Sequence, residues 1–251
     1  MVAGGGTGAV LSRLLHVPET GSTNADLRQL AEAGGEDGNW DGLWLRADRQ
    51  TAGRGRQGRE WSSPSGNFYG STLVRLRPGD PMPATLALVA AVAIEDAVRS
   101  CIPDIGPRLC LKWPNDLLID GAKLSGILLE RTGDAVVIGM GINLASAPDL
   151  PDRATTALRD HGVDVAPATM QALLADAMTH WVAVWRGVGL SAVIERWEGR
   201  AHPQGTTLTA RLPDGQALTG SFQGLAPDGA LQLGLADGVT HVIHAGDIFL
   251  V

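Results

Sequence analysis

At 251 residues, 44% of them hydrophobic, the chain is long enough for one sizeable core and a smaller second module. Its formal charge of −7 excludes a general affinity for nucleic acid, which needs a basic face to release counterions. No run reaches the roughly 18 uninterrupted apolar residues of a membrane span, and the opening Met-Val-Ala-Gly-Gly-Gly-Thr-Gly lacks the charged start of a signal peptide, so a cytoplasmic protein is expected.

After this Gly-rich start, which is expected to fray, Ser22-Thr23-Asn24-Ala-Asp26 offers an N-cap and an acidic first turn to a short helix through Leu27, Leu30 and Ala31, with Gly34-Gly35 as its stop. Gly42–Asp48 and Phe68–Leu76 read as strands on either side of an Arg/Gly-rich loop. From Pro83 to about Ser100 the chain is apolar almost all round at helical spacing, which predicts a helix buried against that sheet. Arg108–Trp113 and Leu117–Ile119 are short strands, Asp120-Gly121 is a hairpin turn into Lys123–Glu130, and Ala135–Gly139 is a further strand. Hairpins joined in this way predict an α+β fold with a mixed or antiparallel sheet and flanking helices. Pro167–Gly187 and Leu190–Ala201 are helical, with Trp181 and Trp185 four apart on one core-facing stripe. From residue 202 the pattern changes to short β-rich runs, Thr206–Leu212, Gln216–Leu225, Ala230–Leu235 and Val239–Val251, separated by Asp-Gly turns. This predicts two domains, residues 1–201 and a small β-barrel over 202–251. Cys101 and Cys110, without a C-x-x-C or a His pair at metal spacing, read as reduced packing residues.

The densest chemistry lies in residues 50–61, Gln50-Thr-Ala-Gly53-Arg54-Gly55-Arg56-Gln-Gly58-Arg59-Glu60-Trp61. Glycine lets backbone N–H groups approach a ligand, and arginine supplies a permanently charged fork for carboxylate or phosphate oxygens. Alone, the loop fits an anion clamp, a solvated surface loop or an RNA-binding patch. Eighteen of the twenty basic residues are Arg, and the only two lysines, Lys112 and Lys123, fall within twelve residues of each other. A compact ammonium is not exchangeable with a guanidinium where geometry is tight, so both are candidate functional groups. They lie in Lys112-Trp-Pro-Asn115-Asp116 and Lys123-Leu-Ser-Gly126-Ile127-Leu-Leu-Glu130, followed by Gly139-Met-Gly141-Ile-Asn143. Each segment alone is equally compatible with a turn or a strand bulge.

In this order and spacing, the Ser-Thr-Asn, Arg/Gly, Lys-Trp-Pro-Asn-Asp, Lys-Leu-Ser-Gly-Ile-Leu-x-Glu and Gly-x-Gly-Ile-Asn segments resemble the catalytic region of biotin–protein ligases, over about residues 20–145. The C-terminal β-rich part resembles the SH3-like domain that follows in that family. The resemblance implies an enzyme that joins biotin to ATP, giving biotinyl-5′-AMP and pyrophosphate, and then passes biotin to one lysine of the carrier domain of a biotin-dependent carboxylase. It implies Lys123 as the cation between biotin carboxylate and α-phosphate, with Arg56 as the second catalytic group. Arg54, Gly53 and Gly55 close over the same oxygens, and Ser22, Thr23, Asn24 and Gln50 hold or flank the ureido ring. Tyr69 packs in the biotin pocket, and Gly126, Ile127, Gly139 and Gly141 form its close walls. Trp61 stacks on adenine, Arg59 and Asn143 contact the nucleotide, and Lys112, Asn115 and Asp116 face the triphosphate. No dedicated metal site is expected. Mg²⁺ arrives on the phosphates, with Asp116 as the candidate side chain near it.

Two positions depart from the family pattern: Glu60, where a basic residue is common, and Gly70, where a larger apolar residue is frequent and whose absence suggests a looser pocket wall. The Ser-Thr-Asn segment begins at residue 22, so the short form without an N-terminal DNA-binding domain is expected, with no DNA or membrane partner. A homodimer through a sheet edge is compatible with the resemblance, and no segment specifies it. Lipoate or another acyl acid as substrate, and a noncatalytic RNA-binding module, are the alternatives. A loop this rich in glycine is expected to be mobile when empty and ordered around the adenylate.

Overall fold

A computed structural model describes residues 13–33 and 40–250; the Gly-rich start and the Gly34-Gly35 stop lie outside them. The elements run β1 (Arg13–Thr20), α1 (Thr23–Ala33), β2 (Leu43–Gln50), β3 (Phe68–Arg75), α2 (Leu86–Cys101), β4 (Leu109–Lys112), β5 (Asp116–Ile119), β6 (Ala122–Thr132) and β7 (Ala135–Ile142). Then follow α3 (Pro167–Gly187), α4 (Leu190–Glu198), β8 (Thr207–Arg211), β9 (Ala217–Leu225), β10 (Leu231–Gly234), β11 (Thr240–Ile243) and β12 (Asp247–Leu250).

The first seven strands form one mixed sheet in the order β1-β2-β3-β7-β6-β5-β4, in which only β1 and β2 are parallel. The expected α+β architecture is therefore present. The β5–β6 turn at Asp120-Gly121 has both residues at positive φ, 51° and 79°, as a tight hairpin turn requires. Strand β1 carries no sequence signal that would announce it, because six of its eight residues are exposed at the sheet edge and no apolar alternation marks it. Strand β7 continues through Gly139-Met-Gly141-Ile142 in regular register with both neighbours, so the Gly-x-Gly segment is a strand and not a bulge.

Directly opposed residues in an antiparallel pair share a face, and the sheet therefore has two distinct sides. On one side, Leu43, Leu45, Leu73, Ala135 and Val137 bury Leu27 of α1. The other side, with Phe68, Ile138, Met140 and Ile142, meets α2, α3 and α4 in the main core. Eleven residues of α2 are buried, which accounts for its lack of a polar face. Trp181 and Trp185 both lie in this core; their indole N–H groups donate to Asp96 and to Thr85 Oγ1 at 2.6 and 2.8 Å.

The remaining strands form an antiparallel five-stranded sheet, β11-β10-β9-β8-β12, an SH3-like arrangement. The single C-terminal run expected over Val239–Val251 is two strands, which pair with β10 and β8 at opposite edges. Apolar residues of both sheets belong to one continuous cluster, from Leu111 and Trp113 to Leu208, Phe222 and Ile248.

Candidate active site

A cavity of about 640 Å³ opens on the α1 side of the large sheet. Its floor is glycine. Gly126 of β6 stands opposite Gly141 of β7, and Gly139 stands two residues along β7 on the same face. A Cβ on Gly141 would lie 2.5 Å from the Trp61 indole, one on Gly126 would lie 2.9 Å from it, and one on Gly139 would lie 2.3 Å from Asn24 Oδ1. Large flat groups therefore rest directly on backbone here, which no other residue type permits. Trp61, expected beside adenine, rests on Gly126 and Gly141, and its indole N–H is buried without an acceptor among the described residues.

At the α1 end of the cavity a polar network forms. Gln50 Oε1 accepts from the Thr23 backbone N–H at 2.9 Å, Thr23 Oγ1 lies 2.7 Å from Ser71 Oγ, and Ser71 donates to Asn24 Oδ1 at 2.6 Å. Ser22, Thr23 and Asn24 are all buried, and with Gln50 they line the cavity. The network exists because α1 begins at the sheet surface: the N–H of Asp26 returns to Ser22 O at 3.0 Å, which turns the first residues of the helix toward β2 and β3.

The cationic part is built on β4, β5 and β6. Hairpin register sets Lys112 opposite Asp116 and Asp116 opposite Gly126, one turn of chain from Lys123. Asp116 is 5% exposed, with Lys112 Nζ 3.0 Å from one carboxylate oxygen and Lys123 Nζ 2.6 Å from the other. The Lys123 contact is an ion pair outside hydrogen-bond geometry, so that oxygen remains short of a directional partner. Burial alone would raise the Asp116 carboxyl, yet the two ammonium groups hold it below the ordinary carboxylate range. Burial depresses the Lys123 ammonium, and Asp116 offsets only part of that effect. Lys123 Nζ also lies 5.5 Å from the centre of the Trp61 ring, within cation–π range. Beside it runs the 153–156 segment, through hydrogen bonds from Lys123 N–H to Ala154 O at 2.9 Å and from Thr156 N–H to Lys123 O at 3.0 Å.

The Arg/Gly loop is a compact hairpin. Gly55 N–H donates to Arg59 O at 2.7 Å, Trp61 N–H donates to Gly53 O at 3.0 Å, and Arg54 bridges Glu60. Two of its three arginines reach across to the small sheet. Arg56 donates to Asn115 Oδ1 at 3.3 Å and to Gly246 O at 3.2 Å, with Asp247 3.7 Å away, and Arg59 pairs directly with the Asp247 carboxylate. Lys112 Nζ donates to Ile248 O at 3.1 Å. Strand β12 is thus one wall of the cavity.

Eighteen of the twenty residues singled out in the sequence line this one cavity; Gly53 and Tyr69 stand behind its wall. A Cβ on Gly53 would lie 2.5 Å from Trp61 O, so that glycine closes the loop. Tyr69 is 1% exposed and donates to Pro64 O at 2.7 Å, and burial pushes its phenol up to about 12. Asn143 is on the wall but spends its amide on Thr156 O at 3.1 Å. Gly70 lies on the cavity lining but pairs with Met140, so the side chain it lacks would point toward the main core, against the Phe68 ring, and not into the cavity. Arg153, Asp152 and Asp247 also line the cavity and were not anticipated. Asp152 and Arg153 are neighbours in a turn and Asp247 begins a strand, and none belongs to a local motif.

Residues 36–143 match the Biotin/lipoate A/B protein ligase family, and residues 206–251 match the Biotin protein ligase C terminal domain. The chain is 38% identical to the biotin–[acetyl-CoA-carboxylase] ligase of Paracoccus denitrificans, over 92% of this chain and 97% of that one. The chain belongs to the biotin–protein ligase family. Its Mycobacterium tuberculosis relative of the same designation is 35% identical over 97% of this chain and 91% of its own. Among solved structures, the Aquifex aeolicus biotin protein ligase in complex with biotin and ATP superposes with a TM-score of 0.82 at 24% identity, covering 96% of this chain and all of that one. A Leishmania major biotin protein ligase in complex with biotinyl-5-AMP gives 0.66 at 25% identity, covering 93% and 99%.

In this ligase no group of His, Cys, Asp or Glu among the described residues is arranged to hold a metal ion. Asp116, the candidate near Mg²⁺, has an ammonium on each oxygen; of the other wall carboxylates Asp152 and Asp247 are paired with Arg153 and Arg59, and Glu60 and Asp149 form no cluster with further metal-binding side chains among the described residues. This donor set does not fit a resident divalent cation.

Proposed function

We propose that this chain is an ATP-dependent biotin–[acetyl-CoA-carboxylase] ligase that forms biotinyl-5′-AMP and transfers biotin to a lysine of a carboxyl carrier domain. The observation that carries this is the convergence of the uncharged polar network, the glycine floor and the Lys112–Asp116–Lys123 cluster in one cavity of a biotin–protein ligase fold. A carboxylate oxygen of biotin attacks the α-phosphorus of ATP, the bond to the β-phosphate oxygen breaks, and pyrophosphate leaves. Two anions must be held in contact while charge develops on the phosphoryl oxygens, and fixed cations in a water-poor cavity favour that state.

In this reading Lys123 is the catalytic cation between carboxylate and α-phosphate, and its hold on Asp116 fixes where the ammonium sits. Arg56 and Arg59 exchange the Asp247 carboxylate for substrate oxygens. Arg54 and the backbone of Gly53 and Gly55 complete the lid, and Lys112, Asn115 and Asn143 face the nucleotide. Trp61, lying flat on Gly126 and Gly141, divides the biotin part of the cavity from the adenine part and offers its free indole N–H. Mg²⁺ enters as part of the nucleotide substrate. In the second half-reaction the carrier lysine amine attacks the acyl carbon and AMP leaves. We take residues 1–201 as the catalytic unit and 202–251 as the unit that supplies the β12 wall.

Mixing the protein with biotin, ATP, Mg²⁺ and an apo carrier domain tests this directly. The expected result is biotin-dependent ATP/pyrophosphate exchange and a carrier mass increased by one biotinyl group. Exchange with lipoate in place of biotin, or none with either, overturns it.

A further inference from the structure

Glu130 closes the Lys-Leu-Ser-Gly-Ile-Leu-Leu-Glu segment, and no step above uses it. It stands on β6 opposite Val137, on the face covered by α1, outside the cavity wall. There it meets Asn24, whose hydrogen bonds can be counted completely. Asn24 is 4% exposed; its Nδ2 donates to Glu130 Oε2 at 2.8 Å and to Leu128 O at 3.3 Å, and its Oδ1 accepts from Ser71 Oγ at 2.6 Å. A carboxylate and a backbone carbonyl can only accept here, so the nitrogen of the amide must face them, and both of its hydrogens are spent. What Asn24 retains toward the cavity is one lone pair on Oδ1. Ser71 has given its only hydrogen to that oxygen, so the 2.7 Å contact is completed by the Thr23 hydroxyl hydrogen, for which Gln50 Oε1 at 3.2 Å is the longer competing acceptor. The chain Thr23 to Ser71 to Asn24 therefore runs in one direction and ends at an acceptor. Arg28 Nη1 lies 3.5 Å from the other oxygen of Glu130, a long contact beside the shorter one to Asn24.

We propose that Glu130 is a positioning residue that fixes the orientation of the Asn24 amide, so that this end of the cavity presents an acceptor and selects a ligand that offers an N–H, as a cyclic urea does and a dithiolane does not. The inference rests on the biotin reading and names the group that would make it specific. Without Glu130 only the longer, 3.3 Å bond to Leu128 O still holds the amide nitrogen on this side, so the turned-over amide becomes accessible and the directional chain loses its fixed end.

The test compares wild type with Glu130→Ala, Glu130→Gln and Arg28→Met, using biotin and biotin methylated on a ureido nitrogen as competing ligands in pyrophosphate exchange. Glu130→Ala is expected to raise the KM for biotin about tenfold, the worth of one hydrogen bond, with kcat within roughly a factor of two. It is also expected to shrink the preference for biotin over the methylated ligand by a similar factor. Glu130→Gln, whose amide oxygen still accepts from Asn24, restores both quantities, and Arg28→Met changes the preference little. An unchanged preference in Glu130→Ala, an equal loss for both ligands, or a Glu130→Gln variant as weak as Glu130→Ala overturns the proposal. If Glu130→Ala does not fold, failure of Glu130→Gln to keep the wild-type preference overturns it. Absence of biotin-dependent exchange in wild type is the separate result that would instead refute the function proposed above.

Discussion

Replacing Lys123 with alanine separates chemistry from architecture at the centre of the site. The variant removes the ammonium 2.6 Å from Asp116 but leaves Lys112 at 3.0 Å on the other carboxylate oxygen. Stranding a buried charge with no partner costs about 3–5 kcal/mol, and Asp116 is not stranded. The burial that depresses the Lys123 ammonium shows that its charge is itself held at a cost, which removal recovers. The net loss of fold stability should therefore be only about 1–2 kcal/mol, a fall in Tm of roughly 2–8 °C for a chain of this size. Catalysis should suffer more. A fixed donor or cation aimed at developing oxyanion charge is worth about 10²–10³ in kcat, so biotin-dependent pyrophosphate exchange at saturating biotin and ATP should drop by at least that factor. The melt and the exchange assay are run on the same preparation. A folded variant whose exchange falls less than about tenfold would refute the assignment of Lys123. A melting point lowered by the full cost of a stranded charge would refute the claim that Lys112 continues to pair Asp116.

Other outcomes follow from contacts of the same site. Asp247→Asn removes the anion that occupies Arg59 and lies 3.7 Å from Arg56, so the KM for ATP should fall about two- to fivefold and hydrogen exchange over residues 53–60 should quicken without ligand; a rise in that KM would show that Asp247 assists the nucleotide. Gly141→Ala would set a Cβ 2.5 Å from the Trp61 indole, and displacing the ring should cost about 1–3 kcal/mol by thermal melt and weaken adenylate formation; an unchanged variant would mean the indole is not seated there. His202, beside Cys110 Sγ at 3.2 Å, is pushed down to about 4 by burial from an ordinary 6.5, with Lys112 adding to the effect. Between those two values the unfolded chain binds a proton that the native state refuses, so stability is lost as the pH falls from about 6.5 to 4, by on the order of 2 kcal/mol given its partial exposure. His202→Gln should flatten that part of a stability–pH profile measured by urea unfolding, and a slope left intact would place the proton elsewhere.

What could be read from the sequence was whatever chemistry is written locally. The Arg/Gly loop, the two lysines and the Asp120-Gly121 turn declare themselves by residue type and spacing, and the hairpin register then brings Lys112, Asp116 and Gly126 together almost without choice. What could not be read depends on a partner far along the chain. Strand β1 is held by β2 and carries little apolar alternation of its own. Gly70 looked like a gap in the pocket because a larger apolar residue is frequent there in the family; only the pairing of Gly70 with Met140 shows that the missing side chain points the other way. Trp61 is placed beside adenine by the family resemblance, but its seat on Gly126 and Gly141 needs the β6–β7 register.

Asp247 carries this lesson into mechanism. It is one acidic residue among 27, at the start of a strand that as sequence belongs only to a small β module. Three contacts make that module part of the site: Arg59 on Asp247, Arg56 on Gly246 O, and Lys112 on Ile248 O. Trp113, between β4 and β5, donates its indole N–H to Gly229 O at 3.1 Å, which fixes the small sheet against the same hairpin that carries Asp116. A shift of the small sheet would therefore move the lid arginines and Lys112 at once, whereas Lys123, tied to the 153–156 segment and Asp116, would stay in place. Substitutions that loosen the contact between the sheets should accordingly weaken nucleotide binding before they touch the polar network at α1, and the KM for ATP should respond to them more than the KM for biotin, which is also held at α1.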